Sequence, residues 1–367
     1  MPTTTLDRRA LNRALLERQL LLERAAMPAI DVIERLLGMQ SQASNAPYIG
    51  LWTRLRDFSF DELAQLMKDR GAVRLTLMRG TVHLVSAADA LTLRPLLQPV
   101  FDRMVRSAAW GGAALDGVNR DEVVAAGREL LAERPRNPRE LRELLAPRWP
   151  DVVPDALEKA LRLWAPLVQL PPRGLWGESG QPTYATVEEY LGAPLAAPDP
   201  GPVVERYLAA FGPASVADIQ KWSGLTGLRA VVAALDLRPY RDEEGRELYD
   251  LPGAMLPDRD IPVPARFVAD FDNLLLSHAD RTRIIADEHR SRVMTVNGII
   301  RGTVLVDGFV GGTWRFDRTK AGAAVSVTPF VPLTAGDRDA LLEEGARLLA
   351  VSDPAAASHE VRITPVA

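Results

Sequence analysis

No cysteine occurs among the 367 residues, which removes disulfide frameworks, thiol nucleophiles and cysteine-based zinc or iron–sulfur centres. Lysine is nearly as scarce. It stands only at Lys68, Lys159, Lys221 and Lys320, so 40 of the 44 basic residues are arginine. The four histidines, His83, His278, His289 and His359, are scattered without metal-ligand spacing, and no Gly-rich phosphate loop occurs, so neither metal nor cofactor is expected. No apolar run approaches the roughly 18 residues of a membrane span. The opening Met1-Pro2-Thr3-Thr4-Thr5-Leu6-Asp7-Arg8 has no apolar signal-peptide core. The reading is a cytoplasmic, nucleoid-associated bacterial protein, monomeric and without a membrane partner.

What is present is ordinary for a globular chain: 47% hydrophobic, 25% charged and a net charge of −4. At about 150 residues per domain the length accommodates two or three domains. A GC-rich genome is the simplest source of the arginine excess, and the net acidity speaks against a surface coated by DNA.

Helical periodicity arrives in blocks, each closed by paired strands. The first block has helices over about 6–24, 28–37 and 47–55, and a fourth from Ser59 with Glu62 as a capping box. Strands 73–77 and 81–85 follow. A second block opens helices at Asn119, Asn137 and Pro154, then runs extended from Leu167 to about Tyr184. After a proline-rich linker, a third has helices near 203–211, 215–222 and 225–235 and a hairpin turning at Glu244-Gly245. Helices followed by a β-wing make a winged helix. The fold class expected is therefore mainly α with β-wings (α+β), three tandem winged-helix motifs (1–110, 111–192, 193–260) and a small C-terminal α+β cap (261–367). In the cap, 271–283 reads as helix or loop, Asn297-Gly298 and Asp307-Gly308 read as hairpin turns, and Gly311-Gly312 as a bulge. The Asp307-Gly308 hairpin is a candidate groove probe.

A regulator should read base edges with a polar third helix. The third block's equivalent, Leu225–Leu235, carries one arginine and no Asn or Gln, and its wing bears Asp242-Glu243-Glu244. Positive charge collects elsewhere. Between Arg70 and Trp110 six arginines face two aspartates, and between Arg281 and Lys320 eight basic residues face four acidic ones. If these windows meet in space they can grip duplex phosphates.

The stretches Leu36-Leu37-Gly38-Met39-Gln40-Ser41-Gln42-Ala43-Ser44-Asn45-Ala46-Pro47-Tyr48 and Met78-Arg79-Gly80-Thr81-Val82-His83-Leu84-Val85 resemble the bacterial winged-helix family of AlkZ-like and YcaQ-like DNA glycosylases. So do Asn273–Arg283 and Val304–Trp314. The resemblance covers nearly the whole chain. It implies cleavage of the N-glycosidic bond of alkylated purines, including bulky N7 adducts and interstrand crosslinks, in DNA repair and antibiotic self-resistance. The family's catalytic Gln-x-Gln or Gln-x-Asp triplet falls on Gln40-Ser41-Gln42, the form of the self-resistance branch. Ser41 replaces a residue that is usually apolar or small.

The chemistry fits these residues. Alkylation at N7 or N3 makes the purine a cationic leaving group, so the enzyme must chiefly place a water beneath C1′. Glutamine has no useful pKa, but its carbonyl oxygen can orient a water and face a developing cation. Residues i and i+2 share a side only where the backbone is extended, which Gly38 and Pro47 favour. Gln40 and Gln42 are the expected catalytic pair. Arg79, His83, His278, Arg281, Arg283, Arg301 and Arg315 are the expected contacts to double-stranded DNA carrying alkylated purines, although the apolar strand neighbours of His83 favour a buried hydrogen-bonding role and a structural role is equally open for His278. No lysine belongs to a motif block, so water rather than an amine is the expected nucleophile. The rival reading is a non-catalytic winged-helix DNA-binding or regulatory protein; specialisation for small methyl lesions is also open.

Overall fold

A computed structural model describes residues 4–319 and 322–366. Met1-Pro2-Thr3 of the opening segment and Lys320 of the second basic window lie outside the described residues. The chain is mixed α+β. The first part runs β1 (Thr5–Leu6), α1 (Arg8–Arg18), α2 (Ala29–Arg35), β2 (Met39–Gln40), α3 (Ala46–Trp52), α4 (Phe60–Lys68), β3 (Ala72–Thr76), β4 (Val82–Ser86), α5 (Ala87–Leu96) and α6 (Gln98–Met104). Next come α7 (Arg120–Glu133), α8 (Pro138–Leu145), α9 (Pro154–Trp164), β5 (Leu167–Gln169), β6 (Tyr184–Thr186) and α10 (Val187–Leu191). The third part is α11 (Pro200–Phe211), α12 (Val216–Ser223), α13 (Arg229–Ala234), β7 (Arg238–Asp242) and β8 (Glu247–Asp250). The C-terminal part is β9 (Arg266–Val268), α14 (Asp287–Val293), β10 (Thr303–Val306), β11 (Phe309–Thr319), β12 (Gly322–Pro329), α15 (Ala335–Ser352) and β13 (His359–Ile363).

Local chemistry explains most boundaries. Ser59, Asn119, Asn137 and Ser215 each accept a backbone N–H with the side chain at a helix start. Glu62 departs from the expected capping box: its Oε1 accepts from the N–H of Ala29 at 2.8 Å, capping α2 instead of its own helix. The first helix ends at Arg18, six residues before the periodicity does. There Arg18 forks onto Asp250 at 2.8 and 2.7 Å and Gln19 donates to Ala210 O, so tertiary partners stop the helix and Leu20 turns left-handed at φ 57°.

The sheets join what the sequence separates. Strands from the first two blocks form one five-stranded sheet in the order β2-β4-β3-β5-β6. The opening strand β1 lies parallel beside β7, with Leu6 opposite Asp242. The C-terminal sheet is ordered β13-β12-β11-β10-β9, with Gly311 bulged where the β10–β11 register shifts. Segment 271–283 is irregular apart from a short 3₁₀ turn at Asn273–Leu275.

The Asp307-Gly308 turn forms as expected, with φ 47° and 82°, but it is not a projecting probe. Asp307 pairs with Arg9 and Arg13, both at 2.6 Å, and Asn12 donates to Gly308 O at 2.8 Å. A Cβ on Gly308 would meet Arg13 and Asn12 at 2.7 Å, so only glycine lets the turn sit this close to α1. The turn that does project is Asn297-Gly298, flanked by fully exposed Val296 and half-exposed Ile299.

Arginine–carboxylate pairs lock the parts together. Arg54 at the end of α3 grips Asp272 through two 2.9 Å bonds, both side chains being buried. Removing one partner of such a pair strands a buried charge. Asp272→Ala is therefore expected to lose about 3 to 5 kcal/mol of unfolding free energy in urea titrations, whereas Arg54→Met with Asp272→Leu loses much less.

Candidate functional site

Gly38, at φ 89°, turns the chain out of α2; a Cβ there would lie 2.4 Å from Val85, so the turn needs glycine. The chain then enters β2, which pairs Gln40 with His83 on β4. Ser41 N–H donates to Val82 O at 2.7 Å, and Gln42 prolongs the ladder with its side chain, Oε1 accepting from Val82 N–H at 3.3 Å. Gln40 is buried and Gln42 exposed.

Ser41 has its own task. Its hydroxyl and carbonyl oxygens accept from Arg74 Nε and Nη2 at 2.9 and 3.0 Å. Arg74 is buried without a carboxylate, and burial followed by Arg173 pushes its pKa down to about 10. An apolar residue at 41 would leave that guanidinium short of an acceptor.

Arg79 gathers the site. It sits at φ 58° in the turn between β3 and β4. Nη2 donates to Gln40 Oε1 at 2.8 Å and Asn273 Oδ1 at 2.9 Å, while Nη1 donates to Trp222 O at 2.9 Å. One guanidinium thus ties the glutamine to α12 and to the C-terminal part. Burial, with Arg281 next, lowers its pKa to about 10, so the cation persists at neutral pH. Arg79 of the first basic window lies within electrostatic reach of Arg281 of the second, and the two charges repel. Arg79 fixes and polarises the Gln40 carbonyl, which retains a second lone pair.

The two glutamines line adjoining spaces. Gln40 borders a narrow cavity of about 10 Å³, enough for one water, shared with Asp270, Asp272 and Asn273. Gln42 borders an open cleft of about 420 Å³ walled by Trp176, Trp314, Phe316, Arg173 and Arg318. Ala46, Ala269 and Asp270 line both.

A profile of the AlkZ-like DNA glycosylases matches residues 33–351. The chain belongs to the AlkZ-like DNA glycosylase family. It is 26% identical over 372 residues to the interstrand DNA cross-link repair glycosylase of Streptomyces sahachiroi, covering 89% of this chain and 92% of that protein. Its fold is similar to the solved structure of the Streptomyces sahachiroi DNA glycosylase AlkZ, with a TM-score of 0.79 and 22% identity, over 98% of this chain and 100% of the other.

Several expected DNA contacts of this AlkZ-like chain are interior groups. His83 is 0% exposed, with Nδ1 on Thr81 O at 3.0 Å; His278 is 1% exposed, with Nε2 on Phe211 O at 3.0 Å. Arg283 is buried and donates to Pro213 O at 2.8 Å. These three present no surface to a duplex; His83 closes its own turn on Thr81, while His278 and Arg283 hold the carbonyls of Phe211 and Pro213 at the end of α11. Arg281 is half-buried, with Nη1 on the Met294 sulfur. Arg301 and Arg315 are exposed, the latter paired with Asp317 at 2.9 Å. Sequence reasoning missed Asp270, Arg173 and Trp176, which lie far from the glutamine triplet in the chain and carry no local pattern. Asn273 and Trp314 sit inside blocks that carried the resemblance.

Burial first, then Arg79 and Arg283 respectively, pushes His83 and His278 down to about 3. The unfolded chain takes up protons below its ordinary 6.5 while the folded chain does not, so stability falls as pH drops from about 6.5. The expected loss at pH 5 is about 2 kcal/mol per histidine, and His83→Gln removes its share of the slope in denaturation midpoints measured between pH 7 and pH 5.

Proposed function

We propose that this AlkZ-like chain is a monofunctional DNA glycosylase that hydrolyses the N-glycosidic bond of alkylated purines, N7-alkylguanine, bulky adducts and interstrand crosslinks included. The product is abasic DNA, and the roles are DNA repair and genotoxin self-resistance. The observation that carries the reading is Gln40, held by Arg79 beside a water-sized cavity that adjoins an open cleft at Gln42. Gln40 orients the water, and Gln42 faces the sugar as it gains oxocarbenium character.

The architecture proposed around this site is three tandem winged helices, residues 1–110, 111–192 and 193–260, carrying a cap at 261–367. The cleft is open rather than enclosing, which suits a lesion too bulky to be drawn into a tight pocket. The Val296–Ile299 turn, with exposed apolar tips next to exposed Arg301, suits insertion into a groove. Exposed Arg301 and Arg315 and half-buried Arg79 and Arg281 supply positive charge for phosphates. A regulator is disfavoured because α13, Arg-Ala-Val-Val-Ala-Ala, offers no base-reading amide. The described lysines, Lys68, Lys159 and Lys221, line neither the cavity nor the cleft, which favours water as nucleophile.

Incubation with duplexes bearing methyl, bulky or crosslinked N7-alkylguanine, followed by hot alkali, should give strand cleavage at the lesion. Gln40→Ala combined with Gln42→Ala should slow cleavage about 100-fold or more. No cleavage of any duplex sinks the enzyme reading; full cleavage by the double variant sinks the site. Borohydride added during turnover should trap no covalent protein–DNA complex, and a trapped complex would show an amine nucleophile instead.

A further inference from the structure

A pair of glutamines can orient a water but cannot take its proton. Hydrolysis nevertheless releases one. The water must lose a proton as its oxygen bonds to C1′, and a carboxylate beside the sugar would both accept it and face the developing positive charge. The lining of the two spaces at the site narrows the choice. Asp272 borders the inner cavity, but both its oxygens are taken by Arg54 at 2.9 Å and one also accepts from Leu274 N–H. Asp270 borders the inner cavity with Gln40 and the outer cleft with Gln42, and it is the one carboxylate among the described residues that line the cleft.

Asp270 is held in a way that leaves it usable. It follows β9 two residues after Val268, and its Oδ1 accepts the Gly302 N–H at 2.7 Å. Oδ2 has no partner among the described residues, and the side chain is open to the cleft. The other charged groups bordering these spaces are engaged elsewhere. Arg54 pairs with Asp272, Arg173 donates to Gly180 O and Arg318 pairs with Asp353. No guanidinium among the described residues neutralises Asp270, and the walls of the cleft, by limiting its hydration, hold its carboxyl above the ordinary 3.8.

We propose that Asp270 is a third catalytic residue, the carboxylate that accepts the proton of the water oriented by the glutamines and faces the cationic sugar. This rests on the glycosylase reading above. The C1′–N bond breaks with its electron pair going to the purine, which leaves neutral because alkylation had made it a cation. Water oxygen bonds to C1′, one proton passes to Asp270 Oδ2 and then to solvent, and the sugar ends as a C1′ hydroxyl. No oxidant, metal or further reactant enters the balance.

The test compares wild type, Asp270→Asn, Asp270→Glu and Gln42→Ala in single-turnover cleavage of an N7-alkylguanine duplex from about pH 5 to 9, with duplex binding measured alongside. Asparagine retains an Oδ1 for Gly302, so the variant keeps its fold, checked by its thermal melt. The expected result is a loss of about 100-fold or more in Asp270→Asn, disappearance of the acid limb of the pH profile, partial recovery in Asp270→Glu, and binding within about three-fold of wild type. Asp270→Asn cleaving within about three-fold of wild type, with Gln42→Ala impaired, overturns the proposal and leaves the glycosylase reading standing. A loss in Asp270→Asn matched by an equal loss of binding, with an unchanged pH profile, also overturns it. A wild-type protein inert on every duplex overturns both.

Discussion

The bidentate pair between Arg54 and Asp272 is the joint around which the site is assembled. It is sealed from water, joins residues 218 positions apart and uses both forks of the guanidinium. Its geometry fixes more than stability. Asp272 lies one residue before Asn273, which shares Arg79 with Gln40, and two after Asp270, which opens on the cleft. The short segment 270–273 thus presents three polar side chains in three directions because the middle of it cannot move without stranding a charge. The geometry of the candidate site is inherited from a structural contact.

The same device recurs. Nine arginines are buried among the described residues: Arg13, Arg18, Arg24, Arg54, Arg74, Arg94, Arg136, Arg266 and Arg283. Arg18 reaches Asp250, Arg24 reaches Glu344, and Arg94 caps the carbonyls of Leu163 and Ala165. A planar fork with five donors can serve several acceptors at once, which an ammonium cannot do in the same geometry. Whatever genomic bias supplied the arginines, the fold has used many of them as internal fasteners. Charge counted along the sequence therefore overstates what reaches the surface: of the six arginines between residues 70 and 110, Arg74 and Arg94 are buried.

Features set by neighbours in sequence were legible in advance. Side-chain caps at Ser59, Asn119 and Asn137 and the left-handed Asp307-Gly308 turn act over a few residues, and each appears where the pattern places it. The extended backbone at Gln40 follows from Gly38 in the same way. What depends on distant partners was not legible. Nothing near Arg18 announces that Asp250 will end its helix, whereas the apolar neighbours of His83 did point to its burial between β2 and β3. Asp270 carries no motif, because what singles it out is its place in a cleft whose other walls come from residues 42–49, 173–176 and 314–318. Ser41 is the intermediate case: its departure from the family pattern was visible, and its reason, Arg74, was not.

The strand pairing of the chain's first residues has a consequence for biosynthesis. Thr5 and Leu6 find their partners only at Arg241 and Asp242. At ribosomal rates of about 5 to 20 residues per second, the leading strand waits roughly 10 to 50 seconds for the hairpin that receives it. During that interval α1 has neither β8 nor the Asp307 turn to dock against, so β1 and α1 lack these partners. β1 and α1 gain these partners only late in translation, when Asp250 and then Asp307 have left the ribosome.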